Sequence, residues 1–267
     1  MSPAGYHGKV LHIDLSARRA WSEEPDDRFW RIYGGGGLLA AYYLLRETPA
    51  HIDAFDPANL LILTSSVVAG HPYAGLARYT AAGKSPLTNG IGETRCEGPF
   101  GVALKGSGAD ALIFHGAADR PTTVLIEEGK VSFHDASALW GRTVNQTVDG
   151  LEAQFGADIH TAVIGPAGEA LVRYAAIMNE GREGRAAGRA GLGAVMGSKR
   201  LKAVAVRGTA AVPVADQAGL RTSVKEWSPK LRSGAEGMHK YGTSGGTPTH
   251  DKMGNLPLKN WQQGSWP

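Results

Sequence analysis

Residues 184–208, GRAAGRAGLGAVMGSKRLKAVAVRG, combine many glycines with basic residues and an apolar run. The glycines precede a short apolar helix, and residues 201–208 have the composition of a strand. Six basic residues lie among these glycines: Arg185, Arg189, Lys199, Arg200, Lys202 and Arg207. Helix N-terminal N–H groups, glycines that permit close approach and planar guanidinium groups together suit a phosphate. The stretch therefore predicts that an anion binds here.

Composition limits the class of protein. The chain has 267 residues, 42% of them hydrophobic and 20% charged, as expected of a globular protein with one large or two small domains. Its net charge of +3 is too small to indicate nucleic acid, and the apolar run at 38–45 is too short to span a membrane. The single cysteine, Cys96, excludes an intramolecular disulfide. We expect a cytoplasmic protein that binds neither nucleic acid nor membrane.

Apolar patterning predicts an α+β fold, because strands and hairpins outnumber helices. Strands are predicted over 9–16, 59–66, 109–116, 159–165 and 201–208, a hairpin over 122–133, and helices over 38–47 and 143–156. From about Asp216 the residue pattern changes. It predicts a helical segment interrupted by Pro229, followed by a polar, loop-like end. The domains are therefore expected at 1–213 and 214–267, the second being the start of a mainly helical domain.

An internal sequence repeat predicts that the first domain is duplicated. Residues 101–121 align with residues 193–213 after a shift of 92 positions, which places Gly101 on Gly193 and Pro121 on Pro213. Both copies contain a glycine, a short apolar helix, a basic residue, a strand and a glycine turn. A duplicated unit implies two equivalent binding surfaces.

The residues alone leave three interpretations open. Gly191, Gly193 and Gly197 resemble a dinucleotide fingerprint, but their strand follows them instead of preceding them. An NAD(P)-dependent oxidoreductase would also need an acid near the ribose, and Asp216 is the nearest candidate. A non-catalytic anion-binding module and a solvated basic face with glycine turns fit the same pattern.

Four longer segments resemble the aldehyde ferredoxin oxidoreductase family, whose members are tungsten or molybdenum bis-pterin enzymes. The segments are ARYTAAGKSPLTNGIG (77–92), DASALWGRTV (135–144), IGPAGEALVRYAAIMNEG (164–181) and RAAGRAGLGAVMGSKRLKAVAV (185–206). The resemblance extends from about Gly8 to Pro213. It implies a duplicated α+β base on which two pterins lie, with the metal held by pterin sulfurs and a magnesium ion shared by the pterin phosphates.

The resemblance also implies which residues contact this tungstopterin. The cofactor-binding residues are expected to be Arg78, Arg95, Glu97, Gly98, Arg185, Ala186, Gly188 and Arg189. The backbone carbonyls of Arg95 and Ala186 are expected to bind magnesium. Arg95 stands where the family has asparagine, and Glu97 where it has glycine. No catalytic residue is assigned.

The activity implied by the resemblance is oxidation of an aldehyde to a carboxylic acid, with electrons leaving through a 4Fe-4S cluster. The family's cluster cysteines belong to downstream domains, and this sequence has no equivalent of them. We therefore expect the chain to be inactive alone and to act with the remaining C-terminal domains. Expected partners are ferredoxin or an iron–sulfur electron-transfer subunit, and a second copy of the chain in a homodimer.

Overall fold

The first half of the chain forms a six-stranded mixed sheet. A computed structural model describes residues 4–73 and 75–267. The elements of the first half, in chain order, are β1 (Val10–Asp14), β2 (Arg19–Glu23), α1 (Asp27–Tyr33), α2 (Gly36–Glu47), β3 (Leu61–Ser65), β4 (Arg78–Lys84), β5 (Ile91–Glu97), α3 (Pro99–Gly106) and β6 (Ala111–His115). The sheet order is β2-β1-β6-β3-β4-β5. Only β1 and β6 are paired in parallel among these described strands.

The second half forms a sheet of the same topology. Its elements are β7 (Thr122–Glu127), β8 (Lys130–Asp135), α4 (Val144–Phe155), β9 (His160–Val163), α5 (Pro166–Glu169), β10 (Ile177–Asn179), β11 (Arg185–Ala187), α6 (Leu192–Ser198) and β12 (Leu201–Arg207). Read from its hairpin, the sheet order is β8-β7-β12-β9-β10-β11. The pairing of β7 with β12 is parallel, like that of β1 with β6.

This topology confirms the α+β class and the duplication. Each half contributes a hairpin, a central strand that follows a short helix, and three further antiparallel strands. The shift of 92 positions places α3 and β6 on α6 and β12. The strands β5 and β11 are therefore equivalent, and each lies at the end of its sheet.

One apolar core joins the two halves. Residues of both sheets pack with Leu104 of α3 and Val195 of α6, which are fully buried. The outer face of the first sheet is covered by α2 through Leu39 and Tyr43, and that of the second by α4 through Leu151. The layers are therefore helix, sheet, the two short helices α3 and α6, sheet and helix, so each sheet buries both faces.

Close packing explains why both copies of the internal repeat have glycine at the matched positions 101 and 193. A Cβ at Gly101 would lie 2.8 Å from the backbone carbon of Arg78, and one at Gly193 would lie 2.4 Å from the carbonyl oxygen of Ala176. Both residues lie inside the short helices of their halves. Because only glycine permits these approaches, α3 contacts the backbone of β4 directly, and α6 contacts the residue before β10.

Residues Asp216–Pro267 form a second compact unit. It contains α7 (Gln217–Gly234), α8 (Glu236–Tyr241) and α9 (Thr247–Lys252). The expected break at Pro229 is wrong, because α7 continues through it. Proline removes one backbone donor, and in an exposed helix water can bind the freed carbonyl. No helix among the described residues combines the length and apolarity needed to cross a membrane.

Candidate functional site

The hairpin of β4 and β5 presents the first group of predicted residues. Its register places Arg78 opposite Glu97, and their side chains form an ion pair of 3.3 Å. Arg95, two residues earlier on β5, is paired with Glu93 at 2.8 Å. All four side chains are exposed or partly exposed. Arginine and carboxylate thus alternate on the solvent side of this hairpin.

The backbone of β5 is available along its outer edge. Gly98 N donates to Ala77 O at 2.8 Å, which continues the β4–β5 register as a hydrogen-bonded pair. Hydrogen-bonded and non-hydrogen-bonded pairs alternate in an antiparallel ladder. The pair of Thr80 and Arg95 is therefore of the second kind, and the Arg95 N–H and C=O point away from β4. This exposes the Arg95 carbonyl at the sheet edge.

The second group of predicted residues lies against this edge. Arg189 N donates to Thr94 Oγ1 of β5 at 3.2 Å. A Cβ at Gly98 would lie 3.7 Å from Arg185 Cγ. We call the residues Arg95–Gly98 and Arg185–Arg189 the joint edge, because the equivalent strands β5 and β11 meet there. Seven of the eight predicted residues belong to it, and the eighth, Arg78, contacts it through Glu97.

Two arginines of the joint edge are available to a ligand. Arg185 and Arg189 are exposed, and within residues 4–73 and 75–267 neither guanidinium has an ion-pair partner. Arg182, three residues before Arg185, is instead paired with Asp149 at 3.4 Å. A Cβ at Gly188 would meet only Ala186 Cβ, at 3.8 Å. The loop therefore exposes two uncompensated charges over an open backbone.

Glu180 links the two halves beneath the joint edge. Its Oε1 accepts a hydrogen bond from Phe100 N, at the start of α3, at 2.7 Å. Its Oε2 lies 3.3 Å from His160 Nδ1, and this contact raises the pKa of His160. The N-terminus of α3 is therefore occupied by a carboxylate of the chain itself. Sequence reasoning missed this role, for which a glutamate in a loop gives no signal.

A glycine-lined cavity opens beside Arg78 and Arg95. Its volume is about 600 Å³, and its wall includes Gly35–Gly37 and Thr80. Gly35 has φ of 82°, and a Cβ there would lie 2.3 Å from Ser65 O. The 12-residue α2 begins at Gly36 with no side-chain cap, so its first N–H groups are available to an anion. The run of four glycines at 34–37 is the sequence signal that could have identified this part of the site.

The opening stretch is only partly a binding loop, because three of its six basic residues have partners within the chain. Lys202 is buried and paired with Glu169. Lys199 is equally buried, and its Nζ donates to Gly116 O at 2.8 Å. Arg207 is paired with Asp158 at 2.6 Å. Lys202 and Arg207 therefore pair within the second half, whereas Lys199 links it to the first. Spacing alone did not reveal these roles.

The dinucleotide interpretation fails at the same stretch. A Cβ at Gly197 would lie 2.0 Å from Gly168 O, and one at Gly191 would lie 1.9 Å from Arg173 O. The space that a pyrophosphate would need is filled by backbone. Asp216 caps α7 by accepting a hydrogen bond from Gly219 N at 2.8 Å, so it is not free to bind a ribose.

Cys96 is buried on β5, and burial raises its pKa to about 11, as expected of an unreactive thiol.

The fold and site define a duplicated two-sheet α+β domain with a cationic, glycine-lined edge between its halves. Residues 10–208 match the family described as aldehyde ferredoxin oxidoreductase, N-terminal domain. The chain belongs to this family, which confirms the resemblance seen in the sequence.

The relatives extend beyond aldehyde enzymes. The chain is 39% identical to the tungsten-containing aldehyde ferredoxin oxidoreductase of Pyrococcus furiosus, over 98% of the chain and 44% of the relative. It is 32% identical to the WOR-like subunit of an aliphatic sulfonate oxidoreductase from the same organism, over 97% of the chain and 43% of the relative. The chain spans less than half the length of these relatives.

A solved structure has the same fold. This is the active-site complex BamBC of benzoyl coenzyme A reductase, with a TM-score of 0.80 and 32% identity. The match covers 85% of this chain and 35% of that one.

Proposed function

We propose that this chain is the cofactor-binding base of an aldehyde oxidoreductase and holds a tungsten or molybdenum bis-pterin cofactor. The joint edge carries the proposal, because two of its arginines have no ion-pair partner among the described residues and their loop contacts β5, on which the Arg95 carbonyl points outward. Phosphate is the ligand that such guanidinium groups recognise best, through paired N–H···O bonds. A pterin cofactor with a phosphate on each half would use both equivalent edges of the duplicated domain.

The donor set suits such a cofactor. Arg185 and Arg189, with the uncapped N-terminus of α2, supply positive charge and N–H donors for phosphates. The carbonyl of Arg95 supplies the hard oxygen ligand that magnesium prefers, and the Ala186 carbonyl is proposed as its counterpart. Glu97, Gly98 and Gly188 complete the proposed contacts.

Arg78 remains available although it is paired with Glu97. Both partners are about half exposed, and such surface pairs contribute only about 0–1 kcal/mol. A charge-assisted bond to a phosphate or pterin oxygen competes well with a contact of that strength. We therefore assign Arg78 to the cofactor, with Glu97 holding its guanidinium in place before binding.

When bound, the metal centre supplies the two-electron oxidation of an aldehyde to its carboxylic acid. The residues of this chain hold phosphates and pterin edges and provide glycine backbone close to the cofactor. We propose that the electrons leave through a 4Fe-4S cluster of the C-terminal domains toward ferredoxin or an iron–sulfur subunit. Those domains and a second copy of the chain are the proposed partners, and we place the enzyme in the cytoplasm.

The higher identity to aldehyde enzymes supports the proposed aldehyde substrate. The relatives named as aldehyde oxidoreductases are 39–40% identical to the chain, whereas the sulfonate-oxidising relative is 32% identical. Proteins named for three different substrates share this domain. We infer that this domain determines cofactor binding, and that substrate choice depends on the remaining part of the protein.

The test is cofactor retention in the full-length enzyme. Arg185→Ala and Arg189→Ala are expected to lose most of the bound metal and pterin, measured by elemental analysis and by fluorescence of the oxidised pterin. Arg182→Ala is the matched control, because it removes an arginine from the same loop whose charge is already paired with Asp149. This variant is expected to keep the wild-type content.

Full metal and pterin content in both Arg185→Ala and Arg189→Ala would refute the proposal. A wild-type enzyme that contains neither group and binds polyanions in a salt-sensitive way would favour an anion-binding module instead.

A further inference from the structure

A histidine pair lies in the first half, on strands that the proposed cofactor site does not use. His12 of β1 and His115 at the end of β6 bring His12 Nδ1 and His115 Nε2 to 3.0 Å. Glu47 ends α2, and one ligand atom from each of the three residues lies within 4.8 Å of the other two. Two imidazole nitrogens and a carboxylate oxygen thus lie close enough together to contact one ion.

The hydrogen bonds around His12 fix which nitrogen carries the proton. His12 Nε2 lies 3.1 Å from Glu23 Oε2, and Arg46 Nη2 donates to the same oxygen at 3.1 Å. An ionised carboxylate only accepts, so His12 Nε2 carries the hydrogen and the Nδ1 lone pair faces His115. A carboxylate behind the imidazole is the usual support of a metal-ligating histidine.

Aromatic stacking orients both imidazoles. The indole of Trp21 stacks on both rings, with centroid distances of 5.0 Å to His12 and 5.4 Å to His115. Two nitrogens bound to one tetrahedral zinc ion lie about 3.3 Å apart, from zinc–nitrogen distances of about 2.0–2.1 Å. The observed 3.0 Å is close to that spacing.

We propose that His12, His115 and Glu47 bind one divalent transition-metal ion of the zinc type. Two histidines and one glutamate form a recognised zinc ligand set that leaves a fourth position for water. Glu23 is a positioning residue that acts through His12. The bound ion would tie the end of α2 to β1 and β6.

The duplication provides an internal comparison. The shift of 92 positions places His115 on Arg207 of β12. Arg207 forms ion pairs with Glu127 at 2.7 Å and with Asp158 at 2.6 Å. The second half therefore stabilises the equivalent position with charge pairs. The histidine pair is specific to the first half and is not required by the fold.

The experiment is a calorimetric titration of the full-length, chelator-treated protein with Zn²⁺, repeated with Co²⁺ and followed by visible absorption. We expect one ion per chain and a cobalt spectrum of low coordination number. His115→Gln should abolish this binding. Glu23→Gln should weaken it by about 10- to 100-fold, as is usual for residues behind a ligand. His134→Gln is the control, because His134 hydrogen-bonds to Ser132 Oγ at 2.8 Å and pairs with no carboxylate in the part of the chain that the structure describes.

Three results would overturn the proposal: no saturable binding by the wild type, unchanged binding by His115→Gln, or an equal loss in His134→Gln. Thermal unfolding without metal shows whether each variant is folded. If His115→Gln does not fold, Glu47→Gln is used in its place. Tungsten content should be unchanged in His115→Gln, so this proposal and the proposed cofactor site fail separately.

Discussion

Substitution of Gly193 tests whether close backbone packing explains the glycines of residues 184–208. It lies inside α6, where alanine would ordinarily stabilise a helix by about 1 kcal/mol. A Cβ there would lie 2.4 Å from Ala176 O and 2.7 Å from Ala175 O. Gly193 N also donates to Ala175 O at 2.9 Å. Gly193→Ala therefore sets helix propensity against a backbone clash.

The clash is expected to outweigh the propensity. Ordinary contact begins near 3.4 Å, so α6 must move by about 1 Å relative to Ala176. Forcing an extra carbon into a packed interior costs about 1–3 kcal/mol, and a weakened hydrogen bond costs about 1 kcal/mol more. After the gain in propensity, the free energy of unfolding should fall by about 2 kcal/mol. For a domain of this size, Tm should fall by about 4–8 °C.

The assay is urea unfolding followed by circular dichroism, together with thermal melts. Gly90→Ala is the control, because the nearest atom to its Cβ would be Thr88 Oγ1 at 3.7 Å. Its stability should stay within about 0.5 kcal/mol of the wild type. A Gly193→Ala protein as stable as the wild type would refute the packing argument. Loss of ligand binding without loss of stability would indicate that the glycine contacts a ligand.

Two further predictions concern buried lysines. Burial lowers the pKa of Lys199 from 10.5 to about 7, so the unfolded chain binds more protons between these values and the free energy of unfolding should rise with pH across that window. Urea titrations should show this rise and its reduction in Lys199→Met, and equal slopes in the two proteins would contradict it. Asp110→Ala leaves Lys105 buried without its 2.6 Å partner and should cost about 3–5 kcal/mol. Asp149→Ala, which breaks an exposed pair, should cost less than about 1 kcal/mol, and equal losses would refute the distinction.

Much of the fold was predictable because its strands are apolar and its repeat is visible. The strand predicted over 109–116 is β6, and the helix predicted over 143–156 is α4, with bounds that differ by one or two residues. Thr143 and Gly156 marked the ends of that helix through a capping box and a positive φ. The hairpin β4–β5 was missed, although Asn89 and Gly90 gave a turn signal.

The candidate site was less predictable, because side-chain partners depend on tertiary contacts. Arg185 and Lys202 lie on one basic stretch, yet one is exposed at the joint edge and the other is buried against Glu169. The spacing of basic residues in the sequence cannot tell which of them is exposed and which is buried. The pairing of Arg78 with Glu97 depends on the register of a hairpin that the sequence did not reveal. The resemblance supplied the expected residues, and the structure supplied their neighbours.

The most direct measurement is the position of the metal, from anomalous X-ray diffraction at the tungsten and molybdenum absorption edges on crystals of the full-length enzyme. We predict one strong peak of either metal beside the joint edge, with ligand density in contact with the guanidinium groups of Arg185 and Arg189. A metal peak elsewhere in the molecule would contradict the proposal. So would a bound cofactor that neither the Arg185 nor the Arg189 guanidinium contacts.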